Sequence, residues 1–178
     1  MSILLINPPE EIGTALVTRL LDQDDDVRVV ADDLNAAQRW KGLGAHVARG
    51  EAQDPDLIER AAQNVRTIVV LEEPSTEVAA AVAGGGQLAS PDMRLVLWLK
   101  QPRPPAEEIV RESGLDYVFL RGTPAAGRMV SSSRKRAAVE ALVEAIDAAD
   151  DLSGNPRLDL DLATSTAWSD LGLEPPQR

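Results

Sequence analysis

Short apolar runs alternate with segments of helical periodicity along most of this chain, and that alternation strongly limits the folds it can adopt. Continuous apolar runs at residues 3–6 and 95–99 are typical of strands buried on both faces of a sheet. A helical stripe follows late in the chain, formed by Val139, Leu142, Val143 and Ile146. Strands that alternate with helices form βαβ units with parallel strands. We therefore predict an α/β fold, a Rossmann-like three-layer sandwich with a mostly parallel sheet of six to seven strands.

Capping and turn residues set the predicted limits of several helices. Asp54 followed by Pro55 predicts a helix start, and Gly114 predicts the end of a helix over residues 105–113. The three glycines at 84–86 predict that a helix over 75–83 ends in a flexible turn. Strict alternation over residues 158–162 predicts an edge or half-exposed strand.

The length of 178 residues suits one domain. We predict a single Rossmann-like domain over residues 1–165 and a C-terminal tail over 166–178. A net charge of −11 repels phosphate backbones, so we expect no nucleic-acid partner. The chain has no cysteine, which excludes disulfides, thiolate metal sites and a cysteine nucleophile. The apolar run at 3–6 is too short for a signal peptide or membrane span, so we expect a cytoplasmic protein without a membrane partner.

Four passages, in order, resemble the NmrA-like group of atypical short-chain dehydrogenases/reductases. Residues 3–21 resemble its dinucleotide fingerprint, and residues 49–57 (RGEAQDPDL) resemble its passage after the third strand. Residues 113–121 (SGLDYVFLR) resemble its sixth strand, and the helix near 134–150 with the following strand resembles its late helix–strand pair. The resemblance spans residues 2–165 and implies a Rossmann fold that binds NAD(P).

The resemblance implies three glycines between the first strand and the first helix, but Asn7, Glu10 and Gly13 occupy these positions. Glycines there let the backbone approach a pyrophosphate, while the third is explained by close helix–sheet packing. Pro8 and Pro9 have no N–H to donate. Two fixed carboxylates, Glu10 and Glu11, would cost a bound pyrophosphate on the order of a few kcal/mol. The sequence therefore argues against tight NAD(P) binding in the familiar pose.

The end of the second strand carries Asp32 and Asp33, where an acid binds the ribose hydroxyls of NAD. In the resemblance Asp32 takes the place of a common arginine, so NAD(H) is favoured over NADP(H) if a dinucleotide binds. Equally, the two acids could cap the helix that starts near Asn35. If a dinucleotide binds, we expect it to be lined by Asn7, Glu10, Glu11, Ile12, Gly13, Asp32, Glu51 and Glu72.

The wider superfamily uses a Tyr-x-x-x-Lys pair with a serine at the end of strand five. The only tyrosine is Tyr117, which the resemblance places in strand six, with Arg121 four residues later. Residues 100–104 are too short for the expected pair, and the serine position falls near Leu99 or Lys100. We therefore predict no catalytic residue, although some atypical members also lack the pair. The only histidine, His46, is predicted to lie in a strand or at the surface, and we expect no metal site.

Charged residues follow the predicted strands, and in open α/β sheets ligands bind at the carboxyl ends of strands. Acids follow strands one to four: Glu10, Glu11, Asp32, Asp33, Glu51, Glu72 and Glu73. Bases follow strands five and six: Lys100, Arg103, Arg121 and Arg128. This polarised edge favours a cationic ligand, a divalent metal or a protein partner, unless it reflects chance in an acidic chain.

The lost glycines and the missing pair favour a degenerate, non-catalytic binding or regulatory module with an unidentified protein or small-molecule partner. One alternative is an NAD(H)-dependent atypical reductase or isomerase, in which the N–H groups of Glu11 and Ile12 bind phosphate. Another is a structural subunit of an assembly, with a homodimer formed through an exposed apolar surface on the helix around residues 139–146. Enzymatic activity is thus left open by the sequence.

Overall fold

The computed structural model describes residues 2–71, 74–122, 132–154 and 156–176, with the backbone alone for 132–135. The strands are β1 (Ser2–Ile6), β2 (Asp26–Ala31), β3 (His46–Arg49), β4 (Thr67–Leu71), β5 (Arg94–Leu99), β6 (Asp116–Arg121) and β7 (Arg157–Asp161). The helices are α1 (Glu10–Asp22), α2 (Leu34–Leu43), α3 (Pro55–Ala61), α4 (Thr76–Ala89), α5 (Pro104–Glu112), α6 (Ser132–Asp151) and α7 (Ser165–Asp170).

The seven strands form one sheet in the order β3-β2-β1-β4-β5-β6-β7, and every pair is parallel. β4 and β5 are buried along their whole length, as their continuous apolar sequences predict. β7 is an edge strand with Leu160 buried and its neighbours partly or fully exposed, which confirms the alternation predicted for it. The chain turns from one side of β1 to the other after β3, so the order of strands reverses between β1 and β4.

Two apolar layers lie on the two faces of the sheet and confirm the predicted three-layer sandwich. One contains residues of α1, α2 and α6 around the fully buried Trp40. The other contains residues of α3, α4 and α5 and includes Phe119 of β6. Leu142, Val143 and Ile146 of α6 are buried in the first layer. The apolar stripe of α6 therefore faces the sheet and is not the exposed surface that the homodimer alternative required.

The predicted start of α3 is confirmed. Asp54 accepts hydrogen bonds from the N–H groups of Asp56 and Leu57, and Pro55 is the first helical residue. Gly114 follows the end of α5 with a φ of 80°, a left-handed conformation that favours glycine. Among the helices of the described residues, none is both long and apolar enough to cross a bilayer.

The predicted helix end at the glycines 84–86 is wrong. α4 continues through all three glycines to Ala89. A Cβ on Gly85 would lie 2.8 Å from the carbonyl oxygen of Pro55 and 2.9 Å from the amide nitrogen of Glu59. α4 therefore packs directly on the backbone of α3, and that close packing outweighs the low helix propensity of glycine.

The segment predicted as a tail contributes to the core. Trp168 and Leu171 are buried in the layer that contains α1 and α6. The indole N–H of Trp168 donates to the carbonyl of Leu162 at 3.0 Å. The domain limits of 1–165 and 166–178 stay a prediction, but the last helix packs as part of the same body.

Candidate functional site

The loop between β1 and α1 begins with Asn7, whose φ of 40° lies in the left-handed region. Asparagine adopts this conformation more readily than most residues other than glycine. The N–H of Asn7 donates to the carbonyl of Val30 at 2.9 Å, and its Oδ1 accepts from the N–H of Asp32 at 3.3 Å. Asn7 thus makes the turn expected of the first glycine and also ties the end of β1 to the end of β2.

Gly13 lies where α1 packs closely against α2 and the loop that precedes α1. A Cβ at this position would lie 2.7 Å from the indole of Trp40 and 2.8 Å from the Cβ of Pro8, and Pro8 is itself buried. The third glycine position of the fingerprint is therefore needed for packing in this chain. Pro8 occupies space beneath the loop and fixes the path of the chain into the helix.

The first turn of α1 has no side-chain cap on its backbone N–H groups, and Pro9 is the capping residue. Glu10 and Glu11 are exposed in this turn, and Ile12 is half-buried. A carboxylate oxygen of Glu10 lies 3.0 Å from the guanidinium of Arg39 in α2. One of the two negative charges that the sequence weighed against phosphate binding is therefore balanced by a neighbouring cation.

The two aspartates after β2 have different roles. Asp33 caps α2, because its carboxylate accepts a hydrogen bond of 2.7 Å from the N–H of Ala36. Asp32 is exposed at the carboxyl end of β2, and its backbone is held by Asn7. The capping alternative thus applies to Asp33, whereas the carboxylate of Asp32 does not cap α2.

Glu51 follows β3 and is exposed, and its carbonyl accepts from the N–H of Asp54 at 3.1 Å. Because β3, β2 and β1 are neighbours, Glu51, Asp32 and Asn7 lie along one edge of the sheet. Glu72, Glu73 and Arg128 lie outside the described residues. The acidic half of the predicted edge is therefore present at the strand ends that the structure describes.

On the other half of this edge, Lys100 follows β5 and is exposed. Its ammonium group lies 4.9 Å from the ring centre of Trp98, within the range of a cation–π contact. The indole N–H of Trp98 donates to the carbonyl of Gly122 at 2.7 Å. β5 and the segment after β6 are therefore joined beneath Lys100.

Arg121, the last residue of β6, is bound by two carboxylates. Its two terminal nitrogens lie 3.1 and 2.7 Å from the oxygens of the buried Glu107, and it also contacts Asp159 of β7. Hydrogen bonds from Arg121 lower the pKa of Glu107 to about 2, against the opposing effect of burial. The carboxylates of Asp159 and Glu107 raise the pKa of Arg121. No sequence motif identifies Glu107, because its partners come together only in the folded chain.

The structure places the other candidate residues away from this edge. Tyr117 is the second residue of β6, near its amino end, and its ring stacks on Phe119 with 4.8 Å between centroids. His46 begins β3 and is exposed, as predicted, with Nε2 3.9 Å from the carboxylate of Asp26. Across the described ranges, no group of three or more His, Cys, Asp or Glu residues is arranged to hold a metal ion.

Comparison with known sequences finds no matching protein family and no matching curated protein. Solved structures do match. Triphenylmethane reductase of Citrobacter sp., solved with NADP(H), matches with a TM-score of 0.67 at 14% identity. The match covers 90% of this chain and 69% of the reductase. The Bordetella bronchiseptica enzyme WbmH, solved with NAD⁺, matches with a TM-score of 0.65 at 14% identity, and the match covers 90% of this chain and 74% of WbmH.

A third match agrees with this chain over almost its whole length. ChuY, an anaerobillin reductase from Escherichia coli O157:H7, has a TM-score of 0.66 at 14% identity. The match covers 90% of this chain and 96% of ChuY. The likenesses confirm the Rossmann fold that the resemblance to the NmrA-like group implied.

Proposed function

We propose that this chain binds NAD(H) at the carboxyl ends of β1 and β2 and acts as an NAD(H)-dependent reductase or isomerase. The link between Asn7 and Asp32 carries the proposal. It keeps the left-handed turn at the first glycine position and holds Asp32 at the end of β2. Two proteins of the same fold were solved with NADP(H) or NAD⁺, which supports a dinucleotide as the ligand.

The pyrophosphate would lie at the first turn of α1. Backbone N–H groups and the helix dipole attract anions there, and the capping residue Pro9 makes no side-chain hydrogen bond to this turn. Arg39 holds Glu10 and reduces its repulsion of the phosphates. The bound cofactor would supply the hydride, and the chain would bind and orient it.

Asp32 would select NAD(H) over NADP(H). A carboxylate accepts hydrogen bonds from the two ribose hydroxyls of NAD, but it repels the additional phosphate of NADP. The side chain is exposed, and the hydrogen bond from its backbone N–H to Asn7 fixes the position of the residue at the end of β2. Asn7, Ile12, Gly13 and Glu51 would line the rest of this half of the cofactor.

The second candidate is a binding or regulatory module that holds a dinucleotide or another ligand without catalysis. The position of Tyr117 favours it, because this tyrosine lies near the opposite end of β6 and stacks on Phe119. A reductase built on this chain relies on placement of cofactor and substrate instead of a Tyr–Lys pair. Oxidation of NADH by carbonyl substrates separates the two candidates, since the module binds NADH without turnover.

Two neighbouring substitutions test the proposal. Asp32→Ser should weaken NADH binding about ten-fold or more, through lost hydrogen bonds to a charged acceptor, and reduce the preference over NADPH. Asp33→Ser removes the same charge but retains a capping side chain, so NADH affinity should change little. Fluorescence titration with NADH and NADPH measures both. Equal effects of the two substitutions would contradict a specific role for Asp32.

A further inference from the structure

A groove of about 500 Å³ runs along the open edge of β3, the outermost strand on its side of the sheet. Its lining includes the consecutive residues 45–48. Successive side chains of a strand point to opposite faces of a sheet, so a groove lined by consecutive residues follows the edge of the strand. Lys41 of α2 borders the groove on one face of the sheet, and Ala61 of α3 borders it on the other. The groove therefore has the position and direction of an additional strand.

The outer backbone groups of β3 have no strand beside them among the described residues. β3 pairs with β2, and the sheet ends there. The N–H of Gly50 donates to the carbonyl of Ala31 at 3.1 Å, so the backbone groups of Gly50 point toward β2. Backbone groups of successive residues point to opposite sides of a strand, so those of Val47 and Arg49 point outward. They are placed to bind the backbone of an extended chain in the groove.

Two exposed cations, Lys41 and Arg49, lie on the α2 face of this edge. Val47 packs in the layer that contains α2, and the side chain of Arg49, two residues further along β3, is on the same face. In the part of the chain that the structure describes, the side chains of Lys41 and Arg49 make no hydrogen bond or ion pair. Their charges are therefore available to a ligand, although the chain as a whole has a net charge of −11.

The α3 face of the groove has a different character. Arg28 donates to the carboxylate of Asp26 and to the carbonyl of Ala61, both at 3.1 Å. The Nε2 atom of His46 lies 3.9 Å from the same carboxylate. Asp26 thus offsets the charge on this face, where the half-buried Ala48 and Ala61 form an apolar surface. One face of the groove is cationic, and the other is largely apolar.

The charges also distinguish between possible occupants of the groove. Charged side chains beside an edge strand commonly prevent pairing between copies of one protein. Two copies of β3 paired edge to edge would bring like charges together, and like charges across a strand pair are destabilising. An acidic strand from another protein would find opposite charges at the same edge. The edge therefore disfavours a second copy of this chain and favours an acidic partner.

We propose that the edge of β3 binds an extended acidic segment of a partner protein, which adds to the sheet as an eighth strand. The backbone of this segment binds the outward N–H and carbonyl groups of Val47 and Arg49. Alternate acidic residues form charge-assisted hydrogen bonds with Lys41 and Arg49 on the α2 face. The residues between them are apolar and contact Ala48 and Ala61 on the α3 face.

The test uses the full chain and a fluorescently labelled heptapeptide of alternating glutamate and valine. In anisotropy titrations at low salt, the peptide should bind with a submillimolar Kd, and more weakly at high salt. Lys41→Gln combined with Arg49→Gln should weaken binding about ten-fold or more. Arg136→Gln combined with Arg157→Gln is the matched control, because it removes two exposed cations from α6 and from β7 at the opposite edge of the sheet. This control should change the affinity little.

Amide hydrogen exchange measures the added strand directly. Saturation with the peptide should slow exchange at the N–H groups of Val47 and Arg49 about ten-fold or more. The inference is overturned if the wild-type chain does not bind the peptide, or if exchange at these two groups is unchanged. Equal weakening by the two double variants also overturns it, since the peptide would then respond to overall charge. The titration needs no cofactor, so its outcome is independent of the proposed NADH site.

Discussion

At residue scale, Asn7 keeps the backbone conformation of a glycine while adding a side-chain hydrogen bond. Its φ of 40° preserves the sharp turn out of β1, and its Oδ1 holds the N–H of Asp32. The sequence shows only that a glycine is missing. Whether the substitute can adopt a left-handed conformation and find a partner depends on the loop in three dimensions.

Substitution of Asn7 should separate these two contributions. Asn7→Gly loses the hydrogen bond but retains the turn, whereas Asn7→Ala loses the bond and strains the backbone. We expect the free energy of unfolding of Asn7→Ala to be about 1 kcal/mol lower than that of Asn7→Gly. Urea unfolding of the two variants measures this difference. Equal stability of the two variants would mean that the left-handed turn is not retained in solution.

Other residues of the site show the limit of sequence reasoning at this scale. The sequence indicated that Asp32 and Asp33 serve as ribose ligand or helix cap, and the structure assigns the cap to Asp33. The ion pair between Glu10 and Arg39 has no signal in the sequence, because these residues lie on different helices. Charge counts along a chain therefore overestimate repulsion wherever folding supplies a distant partner.

At the scale of elements, α4 shows why a local signal failed. Three consecutive glycines normally indicate a turn, since each costs up to about 1 kcal/mol relative to alanine in a helix. Here the middle glycine lets α4 approach the backbone of α3. The cap formed by Asp54 with Pro55 depends only on neighbouring residues, so the sequence predicted it correctly. The extent of α4 depends on its contact with another helix, which the local sequence does not show.

Adjacent glycines of α4 offer a matched pair of substitutions. A Cβ on Gly85 meets the α3 backbone at 2.8 Å, so Gly85→Ala should destabilise the protein by about 1–3 kcal/mol. A Cβ on Gly84 meets nothing within 4 Å, so Gly84→Ala should be neutral or stabilise by up to about 1 kcal/mol. Thermal unfolding measures both. A more stable Gly85→Ala variant would contradict the close packing of α3 and α4.

At the scale of the whole molecule, the sequence predicted the class of fold and the number of strands, because buried parallel strands leave clear apolar runs. Glu10, Asp32, Glu51 and Lys100, among the charged residues predicted to follow strands, do so in the structure. The side-by-side order β3-β2-β1-β4-β5-β6-β7 comes from the structure, and it places the acids of β1 to β3 apart from Lys100 and Arg121. The sequence did not predict that Glu107 and Asp159 balance the charge of Arg121, because these residues meet only when α5, β6 and β7 pack together.

The central claim is that this fold retains a dinucleotide site although two of the three glycine positions carry other residues. Calorimetric titration of the wild-type chain with NADH at low salt tests it most directly. We predict submillimolar binding, with NADH bound more tightly than NADPH. If NADH produces no heat of binding and the protein remains folded throughout the titration, the account of a retained cofactor site is contradicted.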